Sequence, residues 1–282
     1  MSTATPTLTT TPTARGRSPL GRLTFPGVLR SEWIKLRTLR STAWTAFIVL
    51  VLLVGLPFLV SAFARDASAL EGAPADTLRQ FVINQASSGI TFASLAIAVL
   101  GVLAISGEFS TGMIRSSFAA VPNRIRLLTA KACVLFVSSF VLSAIGFMAA
   151  WVTVAVVLGS KGYEVDLFSS STLLSVAGSA SFIGLVSLFA LGLGTVLKAS
   201  AGGIATALGA LFLLPVISSL LQQLLPDQTW IADWSRHLLS NVGPGMAGIA
   251  NQLEPWQNIL TVVIWAAVPL VSGAILLKRR DA

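Results

Sequence analysis

Six long apolar stretches alternate with shorter polar segments along the chain. They cover approximately residues 44–63, 86–106, 132–158, 171–197, 199–225 and 258–277. About 20 apolar residues in a helix cross the ~30 Å hydrocarbon core of a bilayer, and such runs must satisfy their backbone hydrogen bonds internally. None of the six stretches contains Asp, Glu, Lys, Arg or His. The pattern therefore predicts an all-α membrane protein with six transmembrane helices.

The polar segments between the spans differ in their content of positive charge. With the N-terminus placed in the cytoplasm, the outer segments hold only Arg65, Arg79, Lys161 and Arg236 of the 19 Lys and Arg residues. Cytoplasmic segments carry the excess of Lys and Arg in membrane proteins. We therefore expect a multi-pass membrane protein with both termini in the cytoplasm. This orientation accounts for the net charge of +8, and nucleic-acid binding is the poorer interpretation.

The N-terminal region divides into two parts. Residues 1–25 are rich in Ser, Thr and Pro without a hydrophobic pattern, so we expect a disordered cytoplasmic tail, followed by a single membrane domain over residues 26–282. Within residues 26–42, apolar side chains recur at helical spacing among basic ones, which predicts an interfacial helix on the inner leaflet. A basic flank that only sets topology is the alternative. The candidate residues of this helix are Trp33, Lys35, Leu36 and Arg37.

The stretch GEFSTGMIRSSFAAVPNRIRLLTAK, residues 107–131, interrupts the apolar sequence between the second and third spans. Ser110 or Thr111 can cap a helix that begins near Gly112, and Pro122 suits the first turn of a second short helix. Glu108 lies where the second span ends, just before the turn predicted at residues 110–112, and the positive end of the following helix favours a carboxylate there. The candidate residues of this segment are Glu108, Ser110, Thr111, Gly112, Met113, Ile114, Arg115, Phe118, Pro122 and Arg124.

Three further features concern the second half of the chain. The fourth span is rich in Gly, Ser and Ala, which permits close helix packing, and we expect that packing within the chain itself. Pro215 is expected to kink the fifth span. The segment 226–257 before the last span has Trp230 and Trp234 one helical turn apart, and two short helices are expected there. Simple anchoring of the tryptophans at the membrane interface is the alternative.

The sequence lacks the motifs for ATP binding, metal binding and proton relay. The dipeptide Gly-Lys does not occur, so a P-loop for ATP is excluded. His237 and Cys133 are the only residues of their types, and we expect no metal site. The spans have no ionisable residue that could relay protons. Coupling to sodium bound by backbone carbonyls stays an alternative. Otherwise, a protein that moves a substrate uphill is expected to take its energy from another subunit.

Four stretches of the sequence carry a resemblance to a known family. They are SEWIKLRTLRS at 31–41, GEFSTGMIRSSFAAVPNR at 107–124, LSNVGP at 239–244 and the terminal KRRDA. Together they resemble the actinobacterial permease subunits of type-2 ATP-binding cassette (ABC) exporters. The resemblance implies a permease without catalytic residues that pairs with a second permease copy or a sister chain, and with cytoplasmic ATPase subunits. It also implies that ATP and Mg²⁺ bind to the ATPase, with no cofactor on this chain.

The resemblance further implies that the segment after the second span forms a coupling helix seated on the ATPase. A solvated basic loop that only enforces topology is the alternative for this segment. For the whole chain, we expect a permease that exports an amphiphilic, peptide or drug-like substrate. The alternative is a membrane anchor or sensor whose ATPase drives signalling or assembly without substrate translocation. An intramembrane enzyme is disfavoured because the spans lack catalytic groups.

Overall fold

The computed structural model describes residues 24–64, 74–163 and 165–279. The predicted tail therefore lies almost wholly outside the described residues. The described part is helical and contains no strand. Its helices are α1 (Phe25–Thr38), α2 (Arg40–Ala62), α3 (Ala75–Ser87), α4 (Ile90–Ser110), α5 (Met113–Ala120), α6 (Arg124–Gly159), α7 (Ser170–Leu197), α8 (Ser200–Leu208), α9 (Leu214–Leu224), α10 (Thr229–Arg236), α11 (Leu239–Met246) and α12 (Pro255–Arg279).

Six helical segments of the described chain are long and apolar enough to cross a membrane. This confirms the predicted class, an all-α membrane protein with six spans. The second span is longer than predicted, because α3 leads into α4 with only a turn at Ser88 and Gly89 between them. The third span begins at Arg124, eight residues before the predicted start. The apolar pattern defines only the part of a helix that needs an apolar environment, so polar extensions of the same helix are missed.

The fourth span, α7, is the centre of the bundle and packs against α4, α6 and α12. Its glycines allow close contacts with α12 and with α11. A Cβ atom on Gly192 would lie 2.5 Å from the backbone nitrogen of Leu270 in α12, and one on Gly178 would meet the carbonyl oxygen of Met246 in α11. The small residues of the fourth span thus serve packing within the chain, as predicted.

The two ends of the bundle differ in the elements that lie there. We call one the α5 end, because α1, α5, the start of α6 and the end of α12 meet there; the guanidinium of Arg124 donates to the carbonyl oxygen of Leu277 over 2.9 Å. The opposite end carries α3, α10 and α11, and we call it the α11 end. There, the side-chain amide of Gln80 donates to the carbonyl oxygen of Gly248 and its oxygen accepts from the backbone of Ala250.

The fifth span is continuous but not uniformly α-helical. Residues Gly209–Leu213 form a π-helical turn between α8 and α9, in which the backbone N–H of Leu214 donates to Gly209. Pro215 follows in the first turn of α9. Proline has no N–H to donate and its ring crowds the preceding turn of a helix. The fifth span thus has a wider turn just before Pro215, the residue at which a kink was predicted.

Candidate coupling site at the α5 end

Four charged side chains form a closed ring at the α5 end of the bundle. The ammonium of Lys131 lies 2.6 Å from Glu32 and 2.8 Å from Glu108. The ammonium of Lys35 lies 2.7 Å from Glu32 and 3.2 Å from Glu108. Each lysine is therefore paired with both carboxylates. We call Glu32, Lys35, Glu108 and Lys131 the charge ring; it joins α1, α4 and α6.

Helical spacing places these residues toward one another. In α1, Val28 and Glu32 are one turn apart and both are buried, while Lys35 follows three residues after Glu32 on the same face. Glu108 lies in the last turn of α4 and Lys131 in the third turn of α6. Glu32, Glu108 and Lys131 are 3%, 4% and 6% exposed. Charged side chains this buried are found in proteins almost only when they are paired, and here each has partners of opposite sign.

The electrostatics of the two α1 residues follow from this pairing. Burial raises the pKa of the Glu32 carboxyl, but the charge and hydrogen bond of Lys131, followed by those of Lys35, outweigh burial and leave the pKa below its ordinary value. Burial lowers the pKa of Lys35, but the hydrogen bond to Glu32 and the charges of Glu108 and Glu32 outweigh it and leave that pKa raised. Both residues therefore carry their charge at neutral pH.

Some hydrogen-bond donors and acceptors of the charge ring have no partner among the described residues. Lys35 donates to Glu32, Glu108 and the hydroxyl of Ser117 in α5, so all three of its donors have partners. Lys131 donates to Glu32 and Glu108 and to no further residue that the structure describes. Oxygen Oε1 of Glu108 accepts from both lysines, whereas its buried Oε2 has no partner among the described residues.

The turn from α4 into α5 corrects the predicted cap. The helix begins at Met113, and its N-cap residue is Gly112 with φ of +71° and no side-chain hydrogen bond. Ser110 and Thr111 do not cap α5; both hydroxyls donate backward to the carbonyl oxygen of Gly107. They add bonds to a carbonyl oxygen that already accepts from the backbone N–H of Thr111, and the left-handed conformation of Gly112 makes the turn.

The connection from α5 to α6 corrects a second prediction. Pro122 lies before the helix and not in its first turn, and the helix that follows is the long third span. Asn123 is the N-cap of α6, and its side chain accepts from the backbone N–H of Arg126. Arg124 opens the helix with its guanidinium 5.1 Å from the centre of the Phe118 ring. This cation–π contact and the bond to Leu277 tie α5, α6 and α12 together.

The side chains of α5 point in two directions. Ile114 and Ser117 are buried, and Phe118 is half-buried against the core. Met113 is 42% exposed and Arg115 is exposed. The short helix therefore rests on the bundle by its Ile114 face and presents Arg115 outward.

The predicted residues of α1 also divide between two faces. Lys35 belongs to the charge ring, and Leu36 is half-buried against the core. Trp33 is 46% exposed and Arg37 is exposed. The helix ends at Thr38, and α2 begins at Arg40 after the extended residue Leu39. The face toward the bundle is thus partly charged, which the apolar stripe did not predict.

Two members of the charge ring were not among the predicted residues, and the role of a third was only partly predicted. Glu108 was predicted to be favoured by the helix that follows it; in the structure it is buried and paired with Lys35 and Lys131. Glu32 and Lys131 were not among the candidates, although the sequence gives a weak signal for each. Glu32 is the only acid in the basic segment 26–42, and Lys131 is the last cation before the apolar part of the third span. Neither signal indicates the partner.

The fold and this site define a six-span helical membrane protein with charged elements gathered at one end. The family model described as "ABC-2 family transporter protein" matches residues 28–213, about two thirds of the chain. The chain therefore belongs to the ABC-2 transporter family, and it is a membrane permease component of an ABC transporter whose ATPase is a separate partner. Among curated proteins, no significant match to the chain was found.

Proposed function

We propose that this chain is the permease subunit of an exporter for an amphiphilic, peptide or drug-like substrate, driven by ATP hydrolysis on separate ATPase subunits. The ATPase docks at the α5 end and binds ATP and Mg²⁺. The active unit contains a second copy of this permease or a sister chain. In this arrangement the α5 end faces the cytoplasm of the bacterial cell, as do both termini.

The charge ring is the observation that carries this proposal. Glu108 ends the second span two residues before the turn into α5, and it is bonded through Lys35 and Lys131 to α1 and α6. A force applied to α5 would thus reach three helices through short, charge-assisted bonds. A solvated loop that only set topology would require no such ring. The exposed Arg115 is the residue of α5 available for an acidic partner surface.

The distribution of charge supports the orientation. Among the described cations, only Arg79, Lys161 and Arg236 belong to segments at the α11 end, and all others lie in segments at the α5 end. An excess of Lys and Arg marks the cytoplasmic side.

The test begins with the ATPase that copurifies with the full chain. We expect Arg115→Glu to weaken assembly by about 2–5 kcal/mol if its partner is a buried acidic group of the ATPase, and to lower transport while the permease still reaches the membrane. The matched control is Arg126→Glu, another exposed cation of the same end, which is expected to assemble normally. Normal assembly and transport in both Arg115→Glu and Glu108→Ala would contradict the coupling role.

A second measurement separates the exporter from the anchor or sensor. Inverted membrane vesicles containing the permease and its ATPase are expected to accumulate substrate only with ATP and only when both chains are present. ATP hydrolysis coupled to signalling, without accumulation of any substrate from a broad set of amphiphiles and peptides, would favour the alternative.

A further inference from the structure

A cavity lies directly beside the charge ring. Its volume is about 650 Å³, within the range of small-molecule sites, and it is bounded by α1, the start of α2, α4, α5 and α6. Along α4 and its C-cap residue, the lining extends from Leu103 to Thr111, which corresponds to roughly 12 Å at the rise of an α-helix. The cavity is thus long enough for a substantial part of an alkyl chain.

The lining changes in character along its length. The deeper wall is apolar and includes Leu103, Ala104, Val134 and Leu135, whereas all four members of the charge ring line the other part. A ligand that matches this surface has an apolar chain and one polar end.

The charge ring determines which polar end fits. Two carboxylates and two ammonium groups leave the ring formally neutral, so an additional buried charge would have no partner and would be costly. Two hydrogen-bonding positions nevertheless remain in it. Lys131 has one N–H without a described acceptor, and the Oε2 of Glu108, which is fully buried and without a partner in the described part of the chain, can accept from a ligand after a small shift of the ring side chains. A hydroxyl or primary amide can both donate and accept without bringing a net charge.

We propose that this cavity binds a single-chain amphiphile with an uncharged hydroxyl or amide head, the head next to Glu108 and Lys131 and the chain along Leu103 and Leu135. The site joins the three helices of the charge ring, so its occupant contacts the elements that we assign to coupling. The proposal concerns binding by this chain and does not depend on whether the amphiphile is transported.

Binding can be measured on the full chain in phosphatidylcholine nanodiscs. The probe is 1-dodecanol with a photoreactive diazirine on its chain, and labelled peptides are mapped by mass spectrometry. We expect saturable labelling of residues 103–107 and of Val134 or Leu135. Labelling that rises linearly with probe concentration, or that occurs only at lipid-facing positions elsewhere, would overturn the site.

A matched pair of glycines tests the location. A Cβ atom on Gly107 or on Gly55 would meet no atom within 4 Å, both residues are half-buried inside helices, and only Gly107 lines the cavity. Neither substitution meets a steric clash at Cβ, so both variants are expected to fold. We expect Gly107→Phe to reduce labelling about tenfold, because its ring would occupy the cavity, and Gly55→Phe to leave labelling unchanged. Equal labelling in the two variants would contradict the proposal.

Competition by three 12-carbon compounds tests the head group. At equal membrane concentration, unlabelled 1-dodecanol is expected to displace the probe about tenfold more effectively than dodecylammonium or dodecyl phosphate, because each of the latter adds an unpaired charge. Equal displacement by all three would show that only the chain is recognised, as for a bilayer lipid tail, and would overturn the head-group assignment. The charge ring of Glu108→Gln carries a net positive charge, so dodecyl phosphate is expected to displace the probe more effectively, relative to 1-dodecanol, than it does in the wild-type chain. An unchanged ratio of the two compounds would contradict the charge argument.

Discussion

The carboxylate of Glu108 and the ammonium of Lys131 lie 2.8 Å apart, although the turn at Gly112, the whole of α5 and the cap of α6 separate them in the chain. Glu108 ends one membrane-crossing helix and Lys131 is near the start of the next. The bond therefore joins the two ends of the polar segment that contains α5. Movement of α5 relative to α4 and α6 reaches the charge ring through the bond that Lys35 donates to Ser117 of α5.

The first prediction concerns the energy of that pair. Lys131→Met leaves two buried carboxylates with Lys35 as their one cation, and Glu108→Gln leaves two lysines with one carboxylate. Each change is expected to lower the free energy of unfolding by about 3–5 kcal/mol, measured by denaturation in detergent. The double variant restores neutrality, with Lys35 and Glu32 paired, so its loss is expected to fall short of the sum by about 0.5–3 kcal/mol.

The control for this cycle is Arg126→Met, which removes an exposed cation from the same helix as Lys131. Its effect is expected to stay within about 0.5 kcal/mol. Additive losses in the Glu108 and Lys131 cycle would mean that the two residues act independently, contrary to the geometry.

The second prediction concerns pH. The pKa of Glu32 is lowered from 4.5, so its contribution to stability is present above pH 4.5 and is lost as the pH falls through the lower folded value. The pKa of Lys35 is raised from 10.5, so its contribution is present below pH 10.5 and is lost only as the pH rises through the higher folded value. The stability that Glu32 and Lys35 confer by their pairing should be constant between about pH 5 and 9.

The measurement compares the wild-type chain with Glu32→Gln, because the difference between them cancels the titration of groups elsewhere. The groups that face Glu32 are Lys35 on its own helix and Lys131 on α6, and Glu108 on α4 shares both lysines. The difference in unfolding free energy is expected to be flat from pH 5 to 9 and to shrink below about pH 4.5. A difference that vanished near pH 6.5 would assign the stability to another group.

The sequence predicted the six spans because the thickness of the bilayer limits how short an apolar helix can be. It did not predict the charge ring, because that ring depends on contacts between helices. Glu32 and Lys131 are 99 residues apart in the chain, and Lys35 and Glu108 are 73 apart. Helical spacing relates residues three or four apart, so it could place Lys35 beside Glu32 but could not bring either toward Glu108.

The turn at Gly112 was misjudged for a local reason. Ser and Thr are favoured N-caps, but their hydroxyls also bond back to carbonyl oxygens three or four residues earlier in a helix. Ser110 and Thr111 do the latter, and both hydroxyls donate to the carbonyl oxygen of Gly107. Residue type and position alone could not decide whether these hydroxyls cap α5 or bond back to α4.

The third prediction tests this turn with two glycines of the same segment. Gly112 and Gly107 both have open space where a Cβ atom would lie, but only Gly112 has a positive φ. Gly112→Ala is expected to cost about 1–2 kcal/mol of unfolding free energy from the left-handed conformation. Gly107→Ala is expected to stabilise by about 0.5–1 kcal/mol, because alanine favours a helix interior. Equal effects of the two substitutions would mean that the positive φ of Gly112 is not required.

The fourth prediction tests which end of the bundle faces the cytoplasm. Ala119 at the α5 end and Gln252 at the α11 end are both exposed, so a cysteine at either position should be reachable by reagent on its own side. In a Cys133→Ser background, an impermeant maleimide added to intact cells is expected to label Gln252→Cys and not Ala119→Cys, because the basic α5 end is expected inside. Ala119→Cys should become reactive once the cells are permeabilised, which shows that its thiol is accessible. Labelling of Ala119→Cys but not Gln252→Cys in intact cells would reverse the orientation, and the ATPase could then not reach α5 from the cytoplasm.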